Sequence, residues 1–581
     1  MKVVNLILRF LLFILKEIVS FFIKSFLFLV VALSLIGLFV SKTEIKEIKE
    51  IKIPQNSYVE VDLSRRVTEK KNALPNIFNE REISFYSLIK SLNSIKDDNS
   101  VKGILVRLDG LNLNYAQIEE MRGKFDELKK ANKEVICYTS SASNGSYYLA
   151  SKASNFVMPP SAAGNVNITG YYAEIGYYKN FLNKIGVEFN VIHVGDFKSY
   201  GENYTKTEMS SEYRENLTTL YDNIFNSFLT DISEDKKLNK SNIENLILNG
   251  KLMAAEPKTM KELKLVDTLE YYDALRETIG KDKIISLSKY TTARSVNLKG
   301  MGNNKIGLIC AEGEIVNYKI KGSGNMGIYP EGIAGDIDKA LKDSSIKGIV
   351  IRINSPGGSA LASDIIARKV SEARKQKPVY ISIGGMAASG GYYIASQGEK
   401  IYAENKSITG SIGVVSLIPN ITKLMEEKGE IKIETVKKGQ YSDLYSLSTE
   451  FTEDRAKKIY DSSLGVYEEF LQTVAKGRNM KRDDVHNIAQ GRVWLGSDGI
   501  KNGLVDKIGG LEECIADLAK AKGLSSYIVE EIDASVKWDS IFEDYMPFAK
   551  IVNEISSFYL DKNSYFTPVL YFPYGKNNNY Q

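Results

Sequence analysis

The sequence is poor in the residues that most often carry hydrolytic or metal chemistry. Its 581 residues include two histidines, His193 and His486. A Ser-His-Asp enzyme must spend one of them, and metal sites usually draw on more. His193 falls in the strand-like run 189–194, where a packed or edge histidine is the ordinary expectation. His486 falls in a polar, helix-like stretch and is expected to be solvated. The three cysteines, Cys137, Cys310 and Cys514, are odd in number and far apart, with no CxxC spacing. They form neither a disulfide framework nor a zinc site, and read as buried apolar thiols. Charge of one sign is also lacking. The net charge is +4, with acids and bases interleaved and no long basic run, so nucleic acid is not a favoured partner.

What is present suits a folded, multidomain chain. Apolar content of 43% and charged content of 25% are ordinary. The length exceeds what one hydrophobic core supports, so two or more domains are expected.

Residues 25–40 are sixteen residues without a charge. Adding 21–23 across Lys24 makes a run long enough to span a bilayer if Lys24 snorkels to the interface. A transmembrane helix is therefore expected at about 21–40, inside a membrane-associated segment 1–45. Residues 3–23 carry Arg9, Lys16 and Glu17 and suit a helix lying along the membrane. A cleaved signal peptide is the competing reading, but the run lies late and no Ala-x-Ala site follows. A buried globular helix is the third. Charge bias is weak, and a cytoplasmic amino terminus with the bulk outside is the better reading of so short a head.

The sequence repeats itself. Residues 101–151 align with 346–396 at an offset of 245 without gaps, and 14 of the 51 positions are identical. Gly195-Asp-Phe-Lys198 falls opposite Gly439-Gln-Tyr-Ser442, and Leu265-Val-Asp267 opposite Leu504-Val-Asp506. The chain is a tandem duplication with a boundary near 299–304. In the second copy, 347–353 reads as a buried strand, 360–375 as a helix and 379–383 as the next strand. Residues 388–395 open another helix. Such alternation implies βαβ units and a largely parallel sheet, an α/β fold class.

Two glycine-rich turns of the second copy carry the candidate chemistry: Asn354-Ser-Pro-Gly-Gly-Ser359 and Gly384-Gly-Met-Ala-Ala-Ser-Gly-Gly391. Both are expected between a strand and a helix. Glycines there expose backbone N–H groups at a helix start, able to bind phosphate or stabilise an oxyanion. Neither turn matches the Walker pattern. Ser389 sits in the second turn between Ala388 and Gly390, open to substrate. Locally it could equally be a plain helix cap. The repeat separates these readings. Copy one has Asn144 where copy two has Ser389, and Leu111-Asn-Leu113 in place of the Pro-Gly-Gly turn. Copy two has Ser442 where copy one has Lys198. Neither copy holds a serine with a base, but together they do. A lysine made neutral by burial can deprotonate a serine. The economical reading is one site, with Ser389 as nucleophile and Lys198 as general base.

These motifs, with Ile408-Thr-Gly-Ser-Ile-Gly-Val414 and Gly491-Arg-Val-Trp-Leu-Gly496, resemble the long, duplicated form of the signal peptide peptidase A (protease IV) family, over roughly residues 20–530. The resemblance implies two crotonase-like domains of the kind shared with the Clp protease, at 54–290 and 303–530. The first would supply Lys198 and the second Ser389. It implies that Ser411 holds the lysine amine and that the N–H groups of Gly358 and Gly390 form the oxyanion hole. It implies a homotetramer tethered to the bacterial inner membrane by a single pass, with the catalytic part outside the cytoplasm. The implied substrates are signal peptides left in the membrane after cleavage. No metal, nucleotide or organic cofactor is implied.

The sequence departs from the family after the lysine, where Lys198-Ser-Tyr-Gly-Glu-Asn203 stands for the commoner Lys-Ser-Ala-x-Glu-Pro. The tail 531–581 is aromatic-rich and has no assigned role. Three other classes compete, of which a Clp-like Ser-His-Asp protease is disfavoured by the two poorly placed histidines. A crotonase-type acyl-CoA enzyme shares the fold but is disfavoured by the anchor, Ser389 and Lys198. A non-catalytic membrane scaffold is disfavoured by an intact Ser389, Lys198 and Ser411.

Overall fold

The computed structural model describes residues 24, 52–70, 82–295, 304–319, 327–533 and 569–571. The expected membrane span at 21–40 lies, Lys24 apart, outside the described residues, as does most of the tail. No helix among the described residues is long and apolar enough to cross a membrane. Residues 54–287 and 298–581 cluster as one compact unit. Residues 1–53 with 288–297 form a second unit, which contains most of the helix Leu287–Ser295.

The duplication is visible strand by strand. In the first copy the sheet runs in the order Thr268–Leu269, Asn155–Met158, Glu134–Tyr138, Val101–Arg107, Ser57–Asp62, Ile284–Ser286, with every pairing parallel. In the second, Lys507–Ile508, Lys400–Ala403, Val379–Ala388, Ile346–Ser355, Lys305–Glu312 and Ile528–Glu531 repeat that order, again all parallel. The second sheet adds Ile408–Gly410 beside Val379–Ala388, then Val493–Leu495 antiparallel to it.

The local sequence explains these elements. Ile346–Ser355 reads IKGIVIRINS and is buried along most of its length, as a central parallel strand covered on both faces must be. The helix Ala360–Arg374 starts where the Ser359 hydroxyl accepts a hydrogen bond from the Ala362 amide at 3.2 Å. It buries Ala362, Ile366, Val370 and Ala373 at helical spacing. Its counterpart Tyr115–Lys130 starts at a capping box between Asn114 and Gln117.

The second glycine turn is shorter than expected. The strand continues through Gly384 and Gly385 to Ala388, so only Ser389 makes the turn. The cause is a change of partner: the strand pairs with Lys400–Ala403 at its start and with Ile408–Gly410 at its end.

Buried ion pairs join the two copies. Arg352, fully buried in the second sheet, reaches Glu69 at 3.0 Å and Glu120 at 2.6 Å, both from the first copy. The Lys406 ammonium donates to Glu119 at 2.9 Å, and lies 3.1 Å from Asp231. Arg352, Lys406, Glu69, Glu119 and Glu120 are desolvated, so each is tolerable only with its partner in place. These pairs hold the relative position of the copies, and with it the spacing of Lys198 and Ser389.

Candidate active site

Ser389 follows the last residue of its strand, and its own backbone is unusual. Its φ is +55° and ψ −119°, a conformation that costs a non-glycine residue about 1–3 kcal/mol. It persists because neighbouring bonds fix it. The Ser389 amide donates to Gly410 O at 2.8 Å, and its carbonyl accepts from the Tyr393 amide at 2.9 Å. The second bond starts the helix Gly390–Ala395. Ser389 does not cap that helix with its side chain, which removes the plain-cap alternative.

The Ser411 backbone is held the same way. It has φ +52°, and its amide donates to Arg492 O at 2.7 Å. It lies between the strands Ile408–Gly410 and Val414–Asn420. The latter pairs antiparallel with Glu188–Val194, with Val414 opposite Val194. That pairing delivers the next loop, which contains Lys198, beside Ser411.

The lysine loop is packed from behind by the stretch around residue 491. The Phe197 amide donates to Gln490 O at 2.8 Å. Gly491 has φ +83°, and a Cβ built there would stand 2.5 Å from Lys198 N. Only glycine permits this approach. The Arg492 guanidinium sits 3.8 Å over the Phe197 ring and pairs with Glu215 at 2.5 Å. Asn216 exchanges two 3.1 Å hydrogen bonds with the backbone of Val493. The Gly-Arg-Val-Trp-Leu-Gly stretch was legible as a motif; its position behind Lys198 was not. Glu202 fixes the other end of the loop, accepting from Ser210 Oγ at 2.6 Å and Tyr177 Oη at 2.9 Å.

These elements bring three side chains together across 213 positions of sequence. Lys198 Nζ lies 2.8 Å from Ser389 Oγ, 3.0 Å from Ser411 Oγ and 2.9 Å from Ser411 O. Lys198 is 1% exposed and Ser389 and Ser411 are fully buried, so the Ser389 hydroxyl is closed off here rather than open to substrate as its small neighbours suggest. Burial pushes the Lys198 amine well below its usual pKa, and no carboxylate among the described residues opposes that effect. A neutral amine has two N–H groups and one lone pair. The two Ser411 oxygens accept the N–H groups, which leaves the lone pair to accept the Ser389 O–H.

Gly358 lies in the short strand Gly357–Ser359. Its φ is +150°, and a Cβ there would stand 2.0 Å from Ile315 O. Ile315 N donates to Gly357 O, and Ser359 N donates to Ile315 O, both at 2.8 Å. By strand alternation, the Gly358 N–H and C=O face the opposite edge. A Cβ built on Gly390 would lie 3.4 Å from Gly358 N, so the two glycines adjoin.

The first copy has no such site. Asn144 Nδ2 donates to Gly170 O at 2.6 Å, and its Oδ1 accepts from Thr169 N at 3.1 Å. Ser442, opposite Lys198 in the repeat, is exposed. Neither histidine approaches the serine. His193 is exposed on an edge near Gly195 O. His486 is half-buried rather than solvated, because its ring meets the Tyr467 hydroxyl at 3.0 Å. Cys137 and Cys514 are buried thiols, while Cys310 is partly exposed; all three are free.

The comparisons with known proteins agree with a peptide-hydrolysing site. The model of peptidase family S49 matches twice, at residues 127–286 and 371–525. Protease 4 of Haemophilus influenzae is 31% identical over 461 residues, which is 75% of this chain and 72% of that protein. The chloroplastic serine protease SPPA of Arabidopsis thaliana is 32% identical over 440 residues, 73% of this chain and 64% of that one. The putative signal peptide peptidase SppA of Enterococcus faecium is 37% identical over 196 residues, 34% of this chain and 57% of that one. Two copies of the domain in one chain, and relatives matched over three quarters of its length, place it: the chain belongs to peptidase family S49 and is a serine-type peptidase.

Proposed function

We propose that this chain is a membrane-anchored endopeptidase in which Ser389 is the nucleophile and Lys198 the general base. The observation that carries the reading is a buried lysine amine 2.8 Å from a serine hydroxyl, with no carboxylate among the described residues to keep it charged. Lys198 takes the Ser389 proton as Oγ attacks a peptide carbonyl. The N–H groups of Gly358 and Gly390 receive the oxyanion. Lys198 then gives its proton to the leaving amine, and water hydrolyses the acyl-enzyme. Ser411 orients the amine throughout.

In this reading, 54–290 and 303–530 are two crotonase-like domains that share one site. The apolar run at 21–40 anchors the chain in the bacterial inner membrane, with the catalytic part outside the cytoplasm, and the chain assembles as a homotetramer. The substrates are signal peptides left after cleavage, in keeping with the name of the Enterococcus relative. Membrane-retained apolar peptides would reach an anchored enzyme without leaving the bilayer surface. Digestion of a synthetic signal-peptide library by the wild type, Ser389→Ala and Lys198→Ala tests this. The expected result is cuts by the wild type alone, and wild-type turnover in either variant would sink the dyad.

A further inference from the structure

The tail that the sequence left without a role places one short strand in the site. Val569–Tyr571 pairs antiparallel with Gly357–Ser359, with Leu570 opposite Gly358. On its other side Val569 pairs with Val415. The four-stranded sheet therefore runs Gly357–Ser359, Val569–Tyr571, Val414–Asn420, Glu188–Val194. Its first strand contains the oxyanion glycine. Its third follows Ser411 by three residues, and its fourth leads into Lys198. Val569–Tyr571 is the one member that belongs to neither copy of the repeat.

Without that strand, a slot one strand wide would remain. Main-chain groups line both sides, and Ser389, Lys198 and Ser411 adjoin it. The Gly358 N–H and C=O face into it, because the neighbouring groups of the glycine strand are taken by Ile315. Such a slot selects an extended peptide by backbone pairing. The tail has the matching composition. Prolines stand at 568 and 573, and the run between them, Val569-Leu570-Tyr571-Phe572, is β-branched, apolar and aromatic.

We propose that the carboxy-terminal segment around Val569–Tyr571 is a tethered competitor that occupies the peptide groove in place of substrate. This rests on the reading of that slot as the peptide groove. Thirty-five residues separate Asp533 from Val569. A competitor in the same chain binds intramolecularly, at an effective concentration that does not depend on the bulk protein concentration. A free peptide must displace it to bind.

The test uses the Ser389→Ala background, where nothing is cut. Three proteins are compared: the full chain, a chain ending at Asp533, and the full chain with Leu570→Pro, which loses the pairing N–H but keeps the tail. The probe is a fluorescein-labelled ten-residue Leu/Ala peptide, read by anisotropy. Both altered chains should bind it at least fivefold more tightly than the full chain. Hydrogen exchange at the Gly358 amide should be at least tenfold faster in both. Equal affinities and equal exchange across the three would overturn the proposal. If the probe binds none of them, the reading of the slot as the peptide groove fails. Exchange at Gly358 then decides the tail alone, with faster exchange supporting its seat in the slot and unchanged exchange rejecting it.

Discussion

Lys198 Nζ stands 2.8 Å from Ser389 Oγ, although 191 positions separate the two residues and each comes from a different copy of the repeat. The contact exists because each copy contributes what the other lacks. Asn144 replaces the serine in one, and exposed Ser442 replaces the lysine in the other.

If the pair acts as a unit, its parts should not be additive. Ser389→Ala and Lys198→Ala should each lower kcat by at least about a thousandfold, and the double variant should fall little further. Steady-state kinetics on one fluorogenic peptide would show it. Roughly multiplicative losses would separate the two residues.

The activity should rise with pH. Burial depresses the Lys198 pKa, so the amine is protonated and unable to accept a proton only below that lowered value. Thus kcat/KM should climb through one ionisation and level off well below 10.5, the ordinary lysine value. The same depression costs stability. The cost grows as pH falls from 10.5 to the lowered pKa and is constant beneath it. Lys198→Met should therefore unfold at higher urea than the wild type at neutral pH, with the gap closing towards pH 10.5.

Ser411→Ala should weaken the site without erasing it. The variant keeps the backbone carbonyl at 2.9 Å from Nζ but loses the hydroxyl at 3.0 Å. A fall in kcat of about tenfold to a hundredfold is expected, with KM nearly unchanged. An unaltered kcat would remove Ser411 from the machinery.

Gly491→Ala should act through Lys198. The new Cβ would press on the lysine backbone at 2.5 Å, at a φ of +83° that side chains rarely adopt. A loss of about 1–3 kcal/mol in stability is expected, with kcat down about a hundredfold. Denaturant melts and kinetics on the same preparation would check both.

Arg352→Ala should destabilise the whole unit by about 3–5 kcal/mol, because Glu69 and Glu120 would remain buried without their partner. Thermal unfolding would measure it. Conversely, Asn144→Ser in the Ser389→Ala background should restore no activity, since Lys198 is already committed to the other site.

Much of the fold and of the pair was readable from residue order, because the chain holds two versions of one domain. The offset of 245 predicted two parallel sheets, and their strand orders match. Ser389 and Lys198 were legible as a pair from what each copy lacked. Composition disfavoured a histidine triad. How they meet depends on packing between distant segments. The left-handed backbones of Ser389 and Ser411 depend on bonds from Gly410 and Arg492, residues whose partners no local pattern reveals. The approach of Gly491 to Lys198, the Arg352 and Lys406 ion pairs, and the seat of Val569–Tyr571 against Gly358 are contacts between distant segments. Hydrophobic periodicity fixes which face of an element is buried, but it does not say against what. That is settled only when all the elements pack at once.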